Sequence, residues 1–222
     1  MSPEVRSETI AALAREIGPS PDEIIAEMDE RADREGFPTV GPTVGGWLAV
    51  LARTVDARRV FEFGSGFGYS AYWFARELPA DGEIVLTEID ADELDAAREY
   101  FDRGDLSDRA QFERGDAIDI VEEYDGPFDI VLVDNEKDRY VEAFEAVRDK
   151  LRPGSLVLAD NAILGGPIDP EDVLGLLRSE TIGDANASSR GIAQYLDHVR
   201  SLDGFETGLL PLGEGVAVTV RR

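Results

Sequence analysis

Cysteine is absent from the 222 residues, lysine occurs only at Lys137 and Lys150, and histidine only at His198. Without cysteine there is no disulfide framework, no thiolate metal site and no thiol nucleophile. No apolar run approaches the roughly 20 residues needed to cross a bilayer, and the opening MSPEVRSETI lacks an apolar signal core. The expectation is a cytoplasmic protein with no membrane attachment. Basic residues are scarce too: 22 stand against 47 acidic ones, for a formal net charge of -25. Such a surface repels phosphate backbones and disfavours broad electrostatic binding of nucleic acid. Apolar residues are plentiful at 43%, too many for a disordered chain, so the charge must coat a folded body. The acid is spread along the chain rather than gathered in a tail. With arginine almost replacing lysine, the composition resembles that of a salt-loving, GC-rich, haloarchaeal microbe. In molar salt a Debye length of about 3 Å would screen the self-repulsion.

The length suits one domain over residues 1–222, divided into an N-terminal helical cap (1–57) and a core (58–222). A first helix is expected from Val5 to Ile17. Ser20-Pro21-Asp22-Glu23 reads as a capping box with proline at the first helical position. That second helix runs through Ile24, Ile25 and Met28 and stops near Gly36. After a turn at Phe37-Pro38, a third carries Val44, Trp47, Leu48, Leu51 and Val55 on one face.

From residue 58 short apolar strands alternate with helices. Strands are expected at Arg59–Phe63, Glu83–Glu88, Ala110–Glu113, Phe128–Val133 and Ser155–Ala159. Helices are expected from about Tyr69 to Leu78, from a cap at Asp90, from about Arg139 to Leu151, and from Ile192 to Leu202, the last following a loop over Asn161–Arg190. Five strand–helix steps imply a mostly parallel sheet covered on both faces. The last two strands, Phe205–Leu210 and Gly215–Val220, are close enough in sequence to form a hairpin, so one edge strand runs antiparallel. The expected fold is therefore an α/β doubly wound, Rossmann-like sheet of seven strands.

Three segments carry chemistry. Glu62-Phe63-Gly64-Ser65-Gly66-Phe67-Gly68-Tyr69-Ser70 follows the first strand and opens a helix, where glycines permit a sharp turn and close approach to a ligand. A carboxylate at Glu62 would repel a pyrophosphate but attract the ammonium of a methionine moiety, while Glu88, ending the second strand, suits two ribose hydroxyls. A tight strand-to-helix turn would need the same glycines. Asp134 ends the fourth strand and Asp160-Asn161 the fifth, at the edge where such sheets place their sites. Each Asp alone reads better as a strand-end cap or turn residue; together with the Asn161 amide they form an all-oxygen set suited to Mg²⁺ or a similar divalent cation. Lys137 follows Asp134 by three residues, and a nearby dication would favour its neutral, basic form.

With Asp-x-x-Lys-x-x-Tyr (134–140), the Asp160-Asn161 pair and the closing Leu210-Pro211-Leu212-Gly213-Glu214-Gly215, nearly the whole chain resembles the cation-dependent O-methyltransferases of catechol and caffeoyl-CoA type. That resemblance implies a class I methyltransferase fold and S-adenosylmethionine as cofactor. Glu62, Gly64, Gly66, Gly68, Ser70, Glu88 and Asp134 would hold it, with Asp116 and Ala117 near its adenine. Asp134, Asp160 and Asn161 would hold the metal, and Lys137 would be the general base acting beside Asp134. It also implies a homodimer and a small catechol-like acceptor; a hydroxylated wobble uridine of tRNA is the alternative, since relatives of this size act there. The sequence departs from the family at Asn135-Glu136 and Ser155, and no residue matches the carboxylate that catechol enzymes set against the second hydroxyl. An NAD-dependent dehydrogenase fits poorly, because Tyr69 stands where Gly-x-Gly-x-x-Gly needs glycine. A non-catalytic binding module would not need the metal set. His198 and the Tyr69, Tyr72, Trp73, Phe74 cluster read mainly as packing. The first helices and the Asn161–Arg190 loop would shape the acceptor pocket.

Overall fold

Strands buried on both faces carry nearly continuous apolar runs, and Phe128–Val133 (β4) is buried at every position. The computed structural model describes Thr9, residues 12–180 and residues 183–222. After a helical stretch at residues 12–17 come α1 (Glu23–Glu35) and α2 (Gly41–Thr54). The alternating core follows as β1 (Arg59–Phe63), α3 (Tyr69–Ala75), β2 (Glu83–Glu88), α4 (Ala91–Arg103), β3 (Ala110–Arg114), α5 (Ala117–Glu122), β4, α6 (Tyr140–Arg148) and β5 (Leu151–Ala159). The chain closes with α7 (Pro170–Leu177), α8 (Ala187–Ser201), β6 (Phe205–Leu210) and β7 (Val216–Arg221). Among the described residues no helix is long and apolar enough to cross a membrane.

The seven strands lie in the order β3-β2-β1-β4-β5-β7-β6. The first five are mutually parallel; β7 runs antiparallel to both β5 and β6, at the end of the sheet that the hairpin forms. The order reverses between β1 and β4, the crevice where doubly wound sheets place ligands at their carboxyl ends. Alternation along the strands fills two core layers. Val60, Ile130 and Leu132 face α1–α4, while Phe61, Phe63, Val131 and Val133 face α5, α6 and α8. Asp129, the one charged residue of β4, is buried at the opposite end. It accepts from the Arg58 and Arg59 amides at 2.7 and 2.9 Å and from Arg152 Nε at 2.8 Å, so it anchors the start of β1.

Several expectations shift. Of Val5–Ile17, residues 12–17 are helical, while residues 5–8, 10 and 11 lie outside the described residues. The second helix is capped by Asp22, not Ser20: its carboxylate accepts from the Ile25 amide at 2.9 Å, leaving Pro21 outside the helix. β5 begins at Leu151, because Leu151 pairs with Phe128 before a bulge that Ser155 ties to the Phe128 carbonyl. The expected loop Asn161–Arg190 contains α7, capped by Asp169, and α8 begins at Ala187 because Asn186 accepts from the Ser189 amide. The six-residue α5, capped by Asp116, is too short to leave a periodic signature. Gly36, in the left-handed region, ends α1 where expected.

Candidate functional site

The turn after β1 folds as it does because Gly64, Gly66 and Gly68 all have positive φ (79°, 50° and 82°). A Cβ on Gly64 would lie 2.8 Å from the Asp134 carbonyl oxygen, and one on Gly66 2.7 Å from the Phe37 ring. Two adjoining cavities open there, of about 370 and 500 Å³, sharing Gly64, Glu88 and Asp134 in their walls. Gly68 lines neither. A Cβ there would meet Ala97 at 2.9 Å, so this glycine serves the packing that starts α3.

Glu62 is fully buried beneath the turn. Its Oε1 accepts from the Ser70 hydroxyl, and its Oε2 has no partner. Burial pushes its pKa up to about 8, and the nearby charges of Asp134 and Glu88 add to the effect against the Ser70 hydrogen bond. Glu88 is held by backbone amides: Gly66 donates to Oε2 at 2.8 Å, Ile89 and Asp90 to Oε1 at 2.8 and 3.0 Å. Asp116 and Ala117 line the second cavity, where Asp116 also pairs with Arg139 at 2.7 Å. That Arg139 hydrogen bond, ahead of the others, holds the Asp116 carboxyl below the usual range.

The parallel ladder continues past the strands, with the Asp134 amide bonded to the Phe63 carbonyl at 3.0 Å and the Asp160 amide to that of Val133 at 3.2 Å. Both carboxyl groups therefore reach the first cavity. Lys137, on a single turn of 3₁₀-helix (Lys137–Arg139), donates to Asp134 Oδ1 and to the Tyr140 phenol, each at 2.8 Å. The buried phenol in turn donates to the Asp160 carbonyl at 3.1 Å. Burial raises the Tyr140 pKa well above its ordinary value, with Asp134 and Asp160 adding to it. Asp160 is 4% exposed and its Oδ1 has no hydrogen-bond partner. Burial first, then the charge of Asp134, lifts its pKa to about 7. Asp134 is also raised, chiefly by burial and with a contribution from Glu214, against the pull of Lys137. Asn161 stands beside them with its side-chain amide donating to Glu214. Among the described residues, no three or more His, Cys, Asp or Glu side chains are grouped to hold a metal; the set here is two carboxylates and an amide.

Residues 17–222 match the model of a family described as O-methyltransferase. The chain belongs to that family. It is 32% identical over 205 residues to the catechol O-methyltransferase of Niastella koreensis, covering 87% of this chain and 92% of the relative. It is 31% identical over 155 residues to that of Mycobacterium tuberculosis, covering 69% and 67%. Its fold is shared with an O-methyltransferase of Streptomyces achromogenes involved in tomaymycin synthesis, solved with SAM (TM-score 0.84, 23% identity, 100% and 99% coverage). An O-methyltransferase from Bacillus cereus, solved with SAH, superposes with a TM-score of 0.82 at 24% identity, covering 96% of this chain and 97% of that one.

In this O-methyltransferase the residues singled out in the sequence fall into two groups. Gly64, Gly66, Ser70, Glu88, Asp116, Ala117, Asp134, Lys137, Asp160 and Asn161 all border one cavity or the other, while Glu62 sits behind Ser70 and Gly68 faces the core. Gly191 and Phe37 are among the residues that shape the site without standing out in the sequence. Gly191 in α8 lies against the Lys137 backbone: a Cβ there would collide with the Lys137 carbonyl oxygen and stand 2.8 Å from Asp138 Cα. An isolated glycine inside a helical pattern was its only sequence signal. Phe37, at the end of α1, meets Phe67 edge-on at 4.9 Å and walls the first cavity; its place in a turn hid that role.

Proposed function

We propose that this O-methyltransferase takes its methyl group from S-adenosylmethionine and, with a divalent cation, transfers it to one of two adjacent hydroxyls on a small catechol-like acceptor. Three observations suit the cofactor. Gly64 and Gly66 leave a cradle that side chains would fill, buried Glu62 has an unpartnered oxygen, and Glu88 ends β2 at the wall common to both cavities. Ser70 and Glu62 would serve the methionine end, Glu88 the ribose, and Asp116 and Ala117 the adenine side.

The observation that carries the reading is the meeting of Asp134, Lys137 and Asp160 in one cavity beside that cradle, with the buried Tyr140 phenol tying Lys137 to Asp160 from behind. The buried Asp160 Oδ1, without a partner, fits a cation, because an isolated buried carboxylate is costly unless paired or ligating. Asp134, Asp160 and Asn161 would hold it, and hard oxygen donors suit Mg²⁺. Such a cation, when bound, lowers the pKa of a hydroxyl that it coordinates.

Lys137 Nζ, held between Asp134 and Tyr140, takes the proton of the attacking hydroxyl once its own ammonium proton has passed to solvent. The new bond joins the acceptor oxygen to the methyl carbon as the carbon–sulfur bond breaks. Its electron pair stays on sulfur, and S-adenosylhomocysteine leaves. The glycine turn contributes by holding donor and acceptor in line. Phe37, Pro38, Val40 and Pro167 give the cavity an apolar wall for an aromatic ring. A tRNA acceptor is less suited, because among the described residues Lys137 is the one basic side chain lining this cavity and it already pairs with Asp134, on a chain of net charge -25.

Methyl-labelled S-adenosylmethionine, a panel of catechols and unmodified tRNA, assayed with and without a chelator, test the proposal. Label should enter a catechol, vanish with chelator and return with Mg²⁺. Transfer undiminished by chelator would remove the cation, and label on tRNA alone would replace the acceptor.

A further inference from the structure

Glu214 belongs to the tip of the β6–β7 hairpin, outside the strand ends that supply Asp134, Asp160 and Asn161. The loop after β5 is laced to that tip. The Ala162 amide donates to the Gly215 carbonyl at 2.8 Å, and the Ile163 and Leu164 amides both donate to the Glu214 carbonyl, at 3.0 and 2.9 Å. Within this lacing the Glu214 Oε2 accepts from Asn161 Nδ2. Gly165 closes over the pair: a Cβ there would collide with Glu214 Oε2 and lie 2.7 Å from Asn161 Nδ2. Asn161 itself has φ of 54°, a left-handed conformation that asparagine tolerates better than most residues.

An amide side chain has two nearly isosteric ends, one donating and one accepting, whereas a carboxylate only accepts. Glu214 therefore selects which end of Asn161 faces it. With Nδ2 turned to the hairpin, Oδ1 is left for the cavity that also contains the unpartnered, buried Asp160 Oδ1. We infer that Glu214 is a positioning residue for the cation site, orienting the Asn161 amide so that its oxygen, not its nitrogen, is presented to the ion. The inference rests on the cation set proposed above. Removing a partner that orients a metal ligand typically weakens binding about 10- to 100-fold.

Mn²⁺ affinity, read from the loss of its free electron paramagnetic resonance signal, tests this without turnover. Glu214→Ala should weaken Mn²⁺ binding about 10- to 100-fold, whereas Glu214→Gln, which keeps an accepting oxygen but adds a donating end, should lose clearly less. In an Asn161→Ala background, Glu214→Ala should cost nothing further. S-adenosylhomocysteine affinity, measured by calorimetry, should be equal in all variants and reports that each is folded. Unchanged Mn²⁺ affinity in Glu214→Ala, equal losses in the Ala and Gln variants, or full additivity with Asn161→Ala would each overturn the role of Glu214 alone. A wild-type protein that takes up no Mn²⁺ would overturn the cation set with it.

Discussion

The phenol of Tyr140 accepts a hydrogen bond from Lys137 Nζ at 2.8 Å and passes its own donor to the Asp160 carbonyl 3.1 Å away. Lys137 is thereby fixed against two carboxyl-end residues of neighbouring strands, and its nitrogen has one direction left in which to meet a substrate. Replacing Tyr140 by Phe keeps the ring and removes that restraint. Turnover should fall about ten- to a hundredfold through misplacement of Nζ, with the affinity for S-adenosylhomocysteine unchanged. Steady-state kinetics set beside calorimetry check this; an unaltered kcat would leave the phenol a packing group.

Lys137→Ala removes the proposed proton acceptor itself. The expected loss is about 10²- to 10⁴-fold in kcat, the usual span for a positioned acid or base. Cofactor binding should persist, because the proposed cradle is built from Gly64, Gly66 and Glu88, none of which Lys137 hydrogen-bonds.

Gly191→Ala tests the same nitrogen from outside the site. Its new methyl group must push the Lys137 carbonyl away from α8, carrying the 3₁₀ turn with it. Turnover should drop while S-adenosylhomocysteine affinity is retained, and the thermal midpoint should fall as overpacking costs about 1–3 kcal/mol. A variant equal to the wild type in both would show that α8 yields easily.

Glu62 carries a stability signature. Its folded pKa of about 8 stands above its ordinary 4.5, so the folded state holds a proton that the unfolded chain releases. The stability this gives is complete below about pH 4.5 and is lost as the pH rises through about 8. Thermal midpoints of the ligand-free wild type should therefore decline from pH 5 to 8 more steeply than those of Glu62→Gln. Parallel curves would mean that Glu62 is ionised in the folded protein throughout.

The net charge of -25 predicts a further dependence. Screening by molar KCl should relieve repulsion worth a few kcal/mol and raise the melting midpoint by roughly 5 °C or more relative to 0.1 M. A midpoint independent of KCl would detach the acidic composition from salt adaptation.

Much of the site was readable in the chain because its parts are strand ends, and a strand end can be found from where an apolar run stops. Asp134 and Asp160 follow such runs directly, and the glycine turn follows a third. The hairpin was legible for a similar reason, since only five residues separate its strands. What stayed hidden depends on contacts between distant elements. Gly191 reads as a weak spot in a helix until α8 is seen pressed on Lys137, and Glu214 reads as a turn residue until the loop after β5 is laced to it. α7 escaped notice because it is eight residues long and flanked by Gly165-Gly166-Pro167, which resembles open loop.

One wall of the first cavity is the connector at residues 37–40, which contributes nothing to the sheet and touches none of the strand-end carboxylates by hydrogen bond among the described residues. On the proposed reading, the ring of the acceptor and the strand-end carboxylates that act on it are served by separate stretches of chain. A change confined to the few residues ahead of α2 would then alter which ring is accepted while leaving Asp134, Lys137 and Asp160 in place. Grafting that short strip between homologues is accordingly the most economical route to a new acceptor.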